Sequence, residues 1–515
     1  MNCLFILVML IPLLPLLAAG GIAVYVLNGA AGDDAEPPTA RLAEGAAWLA
    51  LLGLAGLDLL ALREGAPGHV AIGTWFASGK LVVPVSFVLD GLSLGFATLV
   101  ALIGVVTLRF SRTYLHRELA FHRFFLFMSL FLAGMLLIVL AGNAALAFVG
   151  WELCGLASWA LIGYAYDRPT ATGNALYAFL TNRIGDAGFI LGIALSAWWL
   201  GTLDWAGLAA WAGGNGAVAF DKVTARLLLF GFLLAAVAKS AQLPFAAWIA
   251  RALEGPTPSS AIFYGALMVH AGVYLVIRLA PVLLQTPDVL VYLAVVGAAT
   301  ALYGWLAGLA QTDVKSALIF ATTTQVGLMF LACGLGWFEL AAWHMGLHAA
   351  WRAYQFLLAP SYMHLVNRKA APAPRWLAGR QWLYTAALQR FWLEHFARSA
   401  LVRPVQSVGH DMRDFDDKVL SHLVGMPERH RAGAAEQGGD GGDGVIRGHG
   451  LAGRLLMWLA ERFHHLESYL VLQRAEGPLT RLLRGAGDYL RALEALLEQP
   501  RYLILLVAAT FVVIL

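Results

Sequence analysis

Apolar residues run through the first 365 positions in blocks long enough to cross a bilayer core of ~30 Å. The blocks fall near 3–27, 46–62, 85–107, 124–142, 144–165, 174–200, 224–249, 257–283, 288–309, 314–335 and 338–362. They predict eleven membrane-spanning helices, several joined by very short turns. After Leu365 the pattern changes. Residues 366–500 are rich in Arg, Glu, Asp and His, with apolar positions at helical spacing in Trp382–Val402 and Leu451–Leu472. A Gly-rich stretch at 437–445 reads as a linker between them. Its match to GxGxxG follows no strand, and its calcium-type GGxGxD stands outside any repeat array. The apolar run 502–515 is short for a span and is expected as a twelfth helix. The expected fold is therefore an all-α, polytopic integral membrane bundle of about twelve helices. A broken helix is expected near residue 240, and amphipathic helices in the polar region.

Composition agrees with a lipid environment. The chain is 60% hydrophobic and 13% charged, with a mean hydropathy of +0.70, against roughly 25% charged in a soluble domain. A net charge of +3 without a basic tract excludes a nucleic-acid partner. Cys3, Cys154 and Cys333 form no CxxC pair, so neither an iron–sulfur site nor a disulfide framework is expected. The run 3–27 lacks a basic n-region and is read as the first span rather than a signal peptide. Basic residues at Arg109–Arg123 and after Leu365 (Arg368, Lys369, Arg375, Arg380) orient the chain with both segments in the cytoplasm. The acidic loop 33–44 falls on the same side.

A charge at the bilayer centre costs at least ~2.5–3.5 kcal/mol, so each one retained in an apolar run asks for a reason. Glu152 lies well inside the fifth run. Lys239 lies mid-run in the seventh, and Pro244 five residues later removes a backbone donor and breaks the helix beside it. Broken helices at membrane depth line cavities in transporters, and a buried lysine can exchange protons near neutral pH. The plainer alternative is a Glu152–Lys239 ion pair that only fixes packing. Tyr264 and His270 can continue a hydrogen-bonded chain, although His270 can equally be a packing residue. Lys315, near a helix start, is either part of that chain or an interfacial anchor. Arg183 and Asp186, three apart, either support the site or simply neutralise each other. His344, His348 and Arg352, spaced by four, share one helix face. A zinc site there lacks both the glutamate of HExxH and a third ligand, so a polar, water-lined path is the better reading.

These residues carry a resemblance. Asp90-Gly-Leu-Ser93, Trp151-Glu152, Arg183-Ile-Gly-Asp186, Lys239-Ser-Ala-Gln-Leu-Pro244, Gly255-Pro-Thr-Pro258, Ala271-Gly-Val-Tyr274, Gln311-Thr-Asp-Val-Lys315 and His344-x3-His348 resemble the antiporter-like subunits of respiratory complex I, especially its L-type subunit, and the Mrp cation antiporters. The resemblance covers roughly 85–360. It implies that Glu152 and Lys239 form a proton-path pair, with the histidines of helix eleven, His344 and His348, further along. This chain departs from the L-type pattern at Tyr264, His270 and Arg352, the last where a lysine is expected; a guanidinium does not readily release its proton. Polar sequence also follows helix eleven, where the family has a second broken helix.

The stretch from Gly255 to Tyr264, with Arg352-Ala-Tyr-Gln-Phe-Leu-Leu-Ala-Pro-Ser361, most resembles DabB, the membrane-subunit family of DAB-type inorganic carbon transporters. Hydropathy and composition, with the complex I and Mrp resemblance for the core, divide the chain into four parts: N-terminal spans (1–84), an antiporter-like core (85–364), a cytoplasmic or membrane-surface amphipathic region (365–500) and a C-terminal span (501–515). The likeness to DabB implies a cation-conducting, most simply proton-conducting, subunit of a CO2/bicarbonate accumulation complex in a bacterial inner membrane. Catalysis, and zinc, would then reside in a soluble carbonic-anhydrase-like (DabA-like) partner on the cytoplasmic side. This chain would carry no metal or other cofactor and no catalytic residue. The alternative is a proton-pumping subunit of a complex I-like NADH-quinone oxidoreductase or an Mrp-type antiporter.

Overall fold

Side-chain caps set where the apolar runs become helices. In the computed structural model, which describes residues 2–29, 32–79, 81–365 and 373–408, the chain opens with α1 (Asn2–Leu27) and α2 (Glu36–Glu64). The expected acidic loop is thus mostly helix, because Glu44 lies inside α2 and meets Arg109 at 3.4 Å. Residues 68–89 depart from an all-helical chain. They form an antiparallel hairpin of β1 (Gly68–Ser78) and β2 (Leu81–Leu89). The reason is local: Leu-Val-Val-Pro-Val-Ser-Phe-Val-Leu is dense in β-branched residues and carries a proline that a helix interior rejects. The third predicted span therefore starts late, as α3 (Gly91–Tyr114). Asp90 accepts from the Ser93 amide at 2.9 Å and Ser93 Oγ accepts from the Asp90 amide at 2.9 Å, a reciprocal cap that explains the Asp-Gly-Leu-Ser motif.

The bundle continues with α4 (Phe121–Leu140), α5 (Ala144–Ile162), α6 (Pro169–Leu195), the short α7 (Trp205–Ala212) and α8 (Lys222–Lys239). Asn143 caps α5 through the Leu146 amide at 2.8 Å, and Asp221 caps α8 through that of Thr224 at 2.8 Å. After α8 the chain breaks and resumes as α9 (Ala247–Arg251) and α10 (Thr257–Ser260). A π-helical turn at Ala261–Ala266 leads to α11 (His270–Arg278) and α12 (Ala280–Leu283). Then come α13 (Pro287–Gly308), α14 (Val314–Gly334) and α15 (Phe338–Leu365). Eight helices among the described residues are long and apolar enough to cross a membrane. The remaining predicted spans are the broken or polar ones around Lys239, His270 and His348.

Helices pack through small residues, as membrane bundles do. A Cβ on Gly231 of α8 would stand 2.6 Å from the Gly192 amide nitrogen of α6, so no other residue allows that crossing. Gly272 of α11 is tighter still, since a Cβ there would lie 2.3 Å from both the Ala236 carbonyl and Ser240 Oγ of the α8 end.

Past Leu365 the predicted amphipathic helix over Trp382–Val402 is not continuous. It splits into α17 (Gln381–Leu388) and α18 (Leu393–Ala397), following α16 (Arg375–Ala378). The split falls at Arg390, Phe391 and Trp392, all with φ above +50°. The chain divides into a compact unit, Met1–Val402, and a second, Arg403–Leu515. The linker at 437–445, most of the 365–500 region, the run 502–515 and the side chain of Tyr264 lie outside the described residues.

Gly272→Val should separate α11 from the end of α8. The expected cost is about 1–3 kcal/mol of overpacking, read as a lowered melting temperature of the detergent-solubilised protein. Gly95→Ala, where nothing lies within 4 Å, should leave it unchanged.

Candidate functional site

Lys239 is the last residue of α8, not a mid-helix residue, and is 1% exposed. A cation in the last turn meets the partial negative charge of the helix end, which suits lysine at this position. The break beside it, predicted from Pro244, leaves backbone groups that nearby side chains satisfy. Gln242 Nε2 donates to the Ser240 carbonyl at 2.9 Å, the Leu243 amide donates to Thr300 Oγ1 at 3.0 Å, and Trp248 Nε1 donates to the Ala238 carbonyl at 2.9 Å. Irregular backbone is tolerated at membrane depth when it is satisfied in this way.

The Glu152–Lys239 ion pair, the plainer alternative to a proton path, is not formed. Lys239 Nζ instead donates to the Trp151 carbonyl at 3.2 Å and sits 5.0 Å from the centre of that indole. Glu152 pairs with Arg183 at 2.5 Å, and the same Arg183 nitrogen reaches Asp186 at 2.8 Å. Arg183 therefore bridges two carboxylates rather than neutralising Asp186 alone. The physical reason is placement: α6 packs against α5 so that Arg183 Nη2 stands between the Glu152 and Asp186 carboxylates. Trp151 Nε1 completes the cluster by donating to Asp186 at 2.7 Å. Gly155, one turn past Glu152, leaves the space between the two cations open. A Cβ there would lie 3.3 Å from Arg183 Nη2 and 3.4 Å from Lys239 Nζ. Glu152 Oε1 is buried and has no hydrogen-bond partner.

The second cluster joins α11 to α15. His270 Nε2 and His348 Nδ1 are 2.9 Å apart, and Arg352 Nε donates to His348 Nε2 at 3.4 Å. A guanidinium only donates, so His348 Nε2 accepts and its proton lies on Nδ1, donated toward His270. Arg352 also donates to Gln355 Oε1 at 3.0 Å. His344 pairs with Gln325 Oε1 of α14 at 2.8 Å. Gln325 was not singled out in the sequence, although Thr-Thr-Thr-Gln inside an apolar run was a visible signal. Ser240, next to Lys239, donates to the carbonyl of Val269, next to His270, at 2.7 Å, which holds the two clusters' elements together. Lys315 is half-buried beside Asp313, which caps α14 through the Ser316 amide at 2.8 Å. No group of three potential metal ligands exists among the described residues.

A third polar group was missed. Arg278, the charge at the end of α11, pairs with Asp90 through both carboxylate oxygens, one at 2.8 Å, and donates to the Tyr274 hydroxyl. Burial alone would raise the Asp90 carboxyl, but Arg278 and Ser93 hold it down to about 2. Between this group and Trp151 lies a void of about 10 Å3 lined by Ile138, Ala147, Phe189, Trp205 and Leu275. Neighbouring polar atoms are engaged elsewhere: Trp205 Nε1 with the Ala141 carbonyl at 2.8 Å and the Tyr274 hydroxyl with the Val139 carbonyl at 2.5 Å.

Residues 141–371 match the family described as NADH:quinone oxidoreductase/Mrp antiporter, TM, and residues 75–125 match the complex I chain 5 N-terminus. The chain is 39% identical over 364 residues to NADH-quinone oxidoreductase subunit L of Mycobacterium tuberculosis, covering 69% of this chain and 56% of that protein. To the Escherichia coli subunit L it is 37% identical over 347 residues, covering 66% and 55%. The chain thus spans little more than half the length of these relatives. Among solved structures, it resembles a chain of the Mrp complex from Dietzia sp. DQ12-45-1b, with a TM-score of 0.57 and 29% identity over 67% of this chain and 37% of that one. It also resembles a chain of an archaeal membrane-bound sulfane sulfur reductase in fold, with a TM-score of 0.58 at 20% identity over 68% of this chain and 70% of that one.

Arg183→Gln would leave Glu152 and Asp186 without their shared cation. Removing the shared cation of this partly buried network leaves the buried Asp186 uncompensated, which costs about 1–3 kcal/mol, and the purified protein should melt correspondingly lower. Arg183→Lys, which keeps the charge but loses the fork, should recover part of that loss.

Proposed function

We propose that this chain, an antiporter-like membrane protein of the complex I L-subunit and Mrp family, conducts protons through a path switched at Lys239. The observation that carries the reading is a fully buried lysine at a helix break, held by one carbonyl and facing an open notch beside Glu152. In the present geometry Arg183 occupies Glu152. Because the same guanidinium already contacts Asp186, it can lean to that carboxylate and release Glu152 without becoming unpaired. Lys239 Nζ can then cross the Gly155 notch from the Trp151 carbonyl to Glu152, and a proton can pass between ammonium and carboxylate. From there the path runs toward His270 and His348, with Tyr264 and His344 as further members and Lys315 at its margin. Arg352 ends it as a fixed positive charge that orients His348 but does not exchange its own proton. The donors favour H+ over Na+: imidazoles relay protons, whereas a hard cation needs a cage of oxygens.

The chain acts within a multi-subunit membrane assembly, with any catalysis in other subunits. Its similarity to subunit L of NADH-quinone oxidoreductases supports a redox-driven assembly in a bacterial inner membrane. A second reading, coupling to CO2 hydration in a cytoplasmic zinc protein, is favoured by Arg352 and by the polar sequence that follows α15.

The test is to purify the native complex by a tag on this chain and reconstitute it. Lys239→Ala should abolish proton translocation and leave the subunit composition unchanged; wild-type translocation in that variant refutes the path. Flavin and iron–sulfur subunits in the complex support the first assembly, and a zinc-bearing soluble partner the second.

A further inference from the structure

The segment between α17 and α18 adopts a conformation that its sequence does not favour. Arg390, Phe391 and Trp392 have φ of +52°, +54° and +52°. Left-handed backbone is disfavoured for residues with a side chain and persists only where surrounding contacts impose it. Apolar spacing alone favours a continuous helix through these positions.

Those contacts converge on the helix break. The Phe391 ring lies 6.0 Å from that of Tyr303 on α13, and the Arg390 guanidinium lies 5.5 Å from the centre of the Phe320 ring on α14. Phe391 and Leu393 pack with Leu243 and Ala250 around a core of Ala246, Tyr303, Ala307 and Phe320. Leu243 and Ala246 belong to the break itself, and Ala250 to α9. Glu394 on α18 pairs with Arg251, the last residue of α9. Arg251 also donates to Asn174 Oδ1 of α6 at 2.8 Å.

α9 has only five residues, so it is held by its neighbours rather than by its own helical bonds. Its Trp248 donates to the Ala238 carbonyl, one residue before Lys239. A displacement of α9 therefore reaches the turn that carries the lysine.

We propose that residues 390–394 form a strained clasp that sets the position of α9 and thereby controls whether Lys239 can cross to Glu152. Strain makes the clasp releasable: its contacts hold a backbone shape that relaxes once they are lost. The clasp rests on the proton-path reading and adds a control point outside the path, in the stretch just before the second structural unit begins.

The clasp can be locked without touching the path. Cysteines replace Arg251 and Glu394 in the full chain, with Cys3 changed to serine and the buried Cys154 and Cys333 kept, and a short bis-methanethiosulfonate reagent joins the introduced pair in the reconstituted native complex. Cross-linking should lower proton translocation several-fold, and dithiothreitol should restore it. Quantitative cross-linking with unchanged translocation overturns the clasp, as does failure of the pair to cross-link. Lys239→Ala in the same cysteine background separates the two ideas. If that variant translocates normally the proton path fails, whereas loss of translocation there with a silent cross-link fails the clasp alone. As a second check, Trp392→Gly relieves strain while keeping Phe391 and Glu394, and should slow release of the clasp and lower translocation. A rate unchanged from wild type argues against the strain.

Discussion

A primary ammonium held out of water at a helix end is the constraint on which the rest of this molecule depends. Lys239 is 1% exposed and meets the Trp151 carbonyl and the face of the Trp151 indole. Retaining a charge at membrane depth costs at least ~2.5–3.5 kcal/mol, and the surrounding residues are arranged to offset it. The end of α8 supplies its dipole, Trp248 ties the helix end to α9, and Gly272 lets α11 come close enough for Ser240 to reach Val269. Replacing any of these would leave either an unpaired backbone group or a gap beside a buried charge.

The charges near Lys239 are shared rather than paired one to one. Arg183 serves Glu152 and Asp186 together, and Trp151 serves Asp186 through its side chain and Lys239 through its backbone. The histidine pair is different. His348 accepts from Arg352 at Nε2 and donates from Nδ1 toward His270.

Much of this was legible in the sequence, and the reasons are physical. Long apolar runs, a proline five residues after a lysine, and histidines at a spacing of four are patterns of composition and period, and the helix break and the α15 face followed from them. Of the hairpin at 68–89, only 85–89 fell within a predicted span, because the apolar, β-branched end of β2 and the helix that follows it look alike in hydropathy, and 68–84 carried no predicted element. Partner choice was the least legible. That Glu152 meets Arg183 instead of Lys239 depends on where α6 sits against α5, and no local spacing encodes that. Arg278 and Gln325 were visible as polar residues in apolar runs, but their partners Asp90 and His344 lie far away in sequence. The left-handed turn at 390–392 had no local signal, since tertiary contacts impose it.

In the proposed path Lys239 acts by exchanging a proton, not merely by filling a buried position with charge. Arginine retains the charge and most of the length but does not release its proton near neutral pH. Proton translocation by the reconstituted complex carrying Lys239→Arg is therefore the most direct measurement. The expected result is a normally assembled complex that translocates no protons. Wild-type translocation with arginine at this position would contradict it.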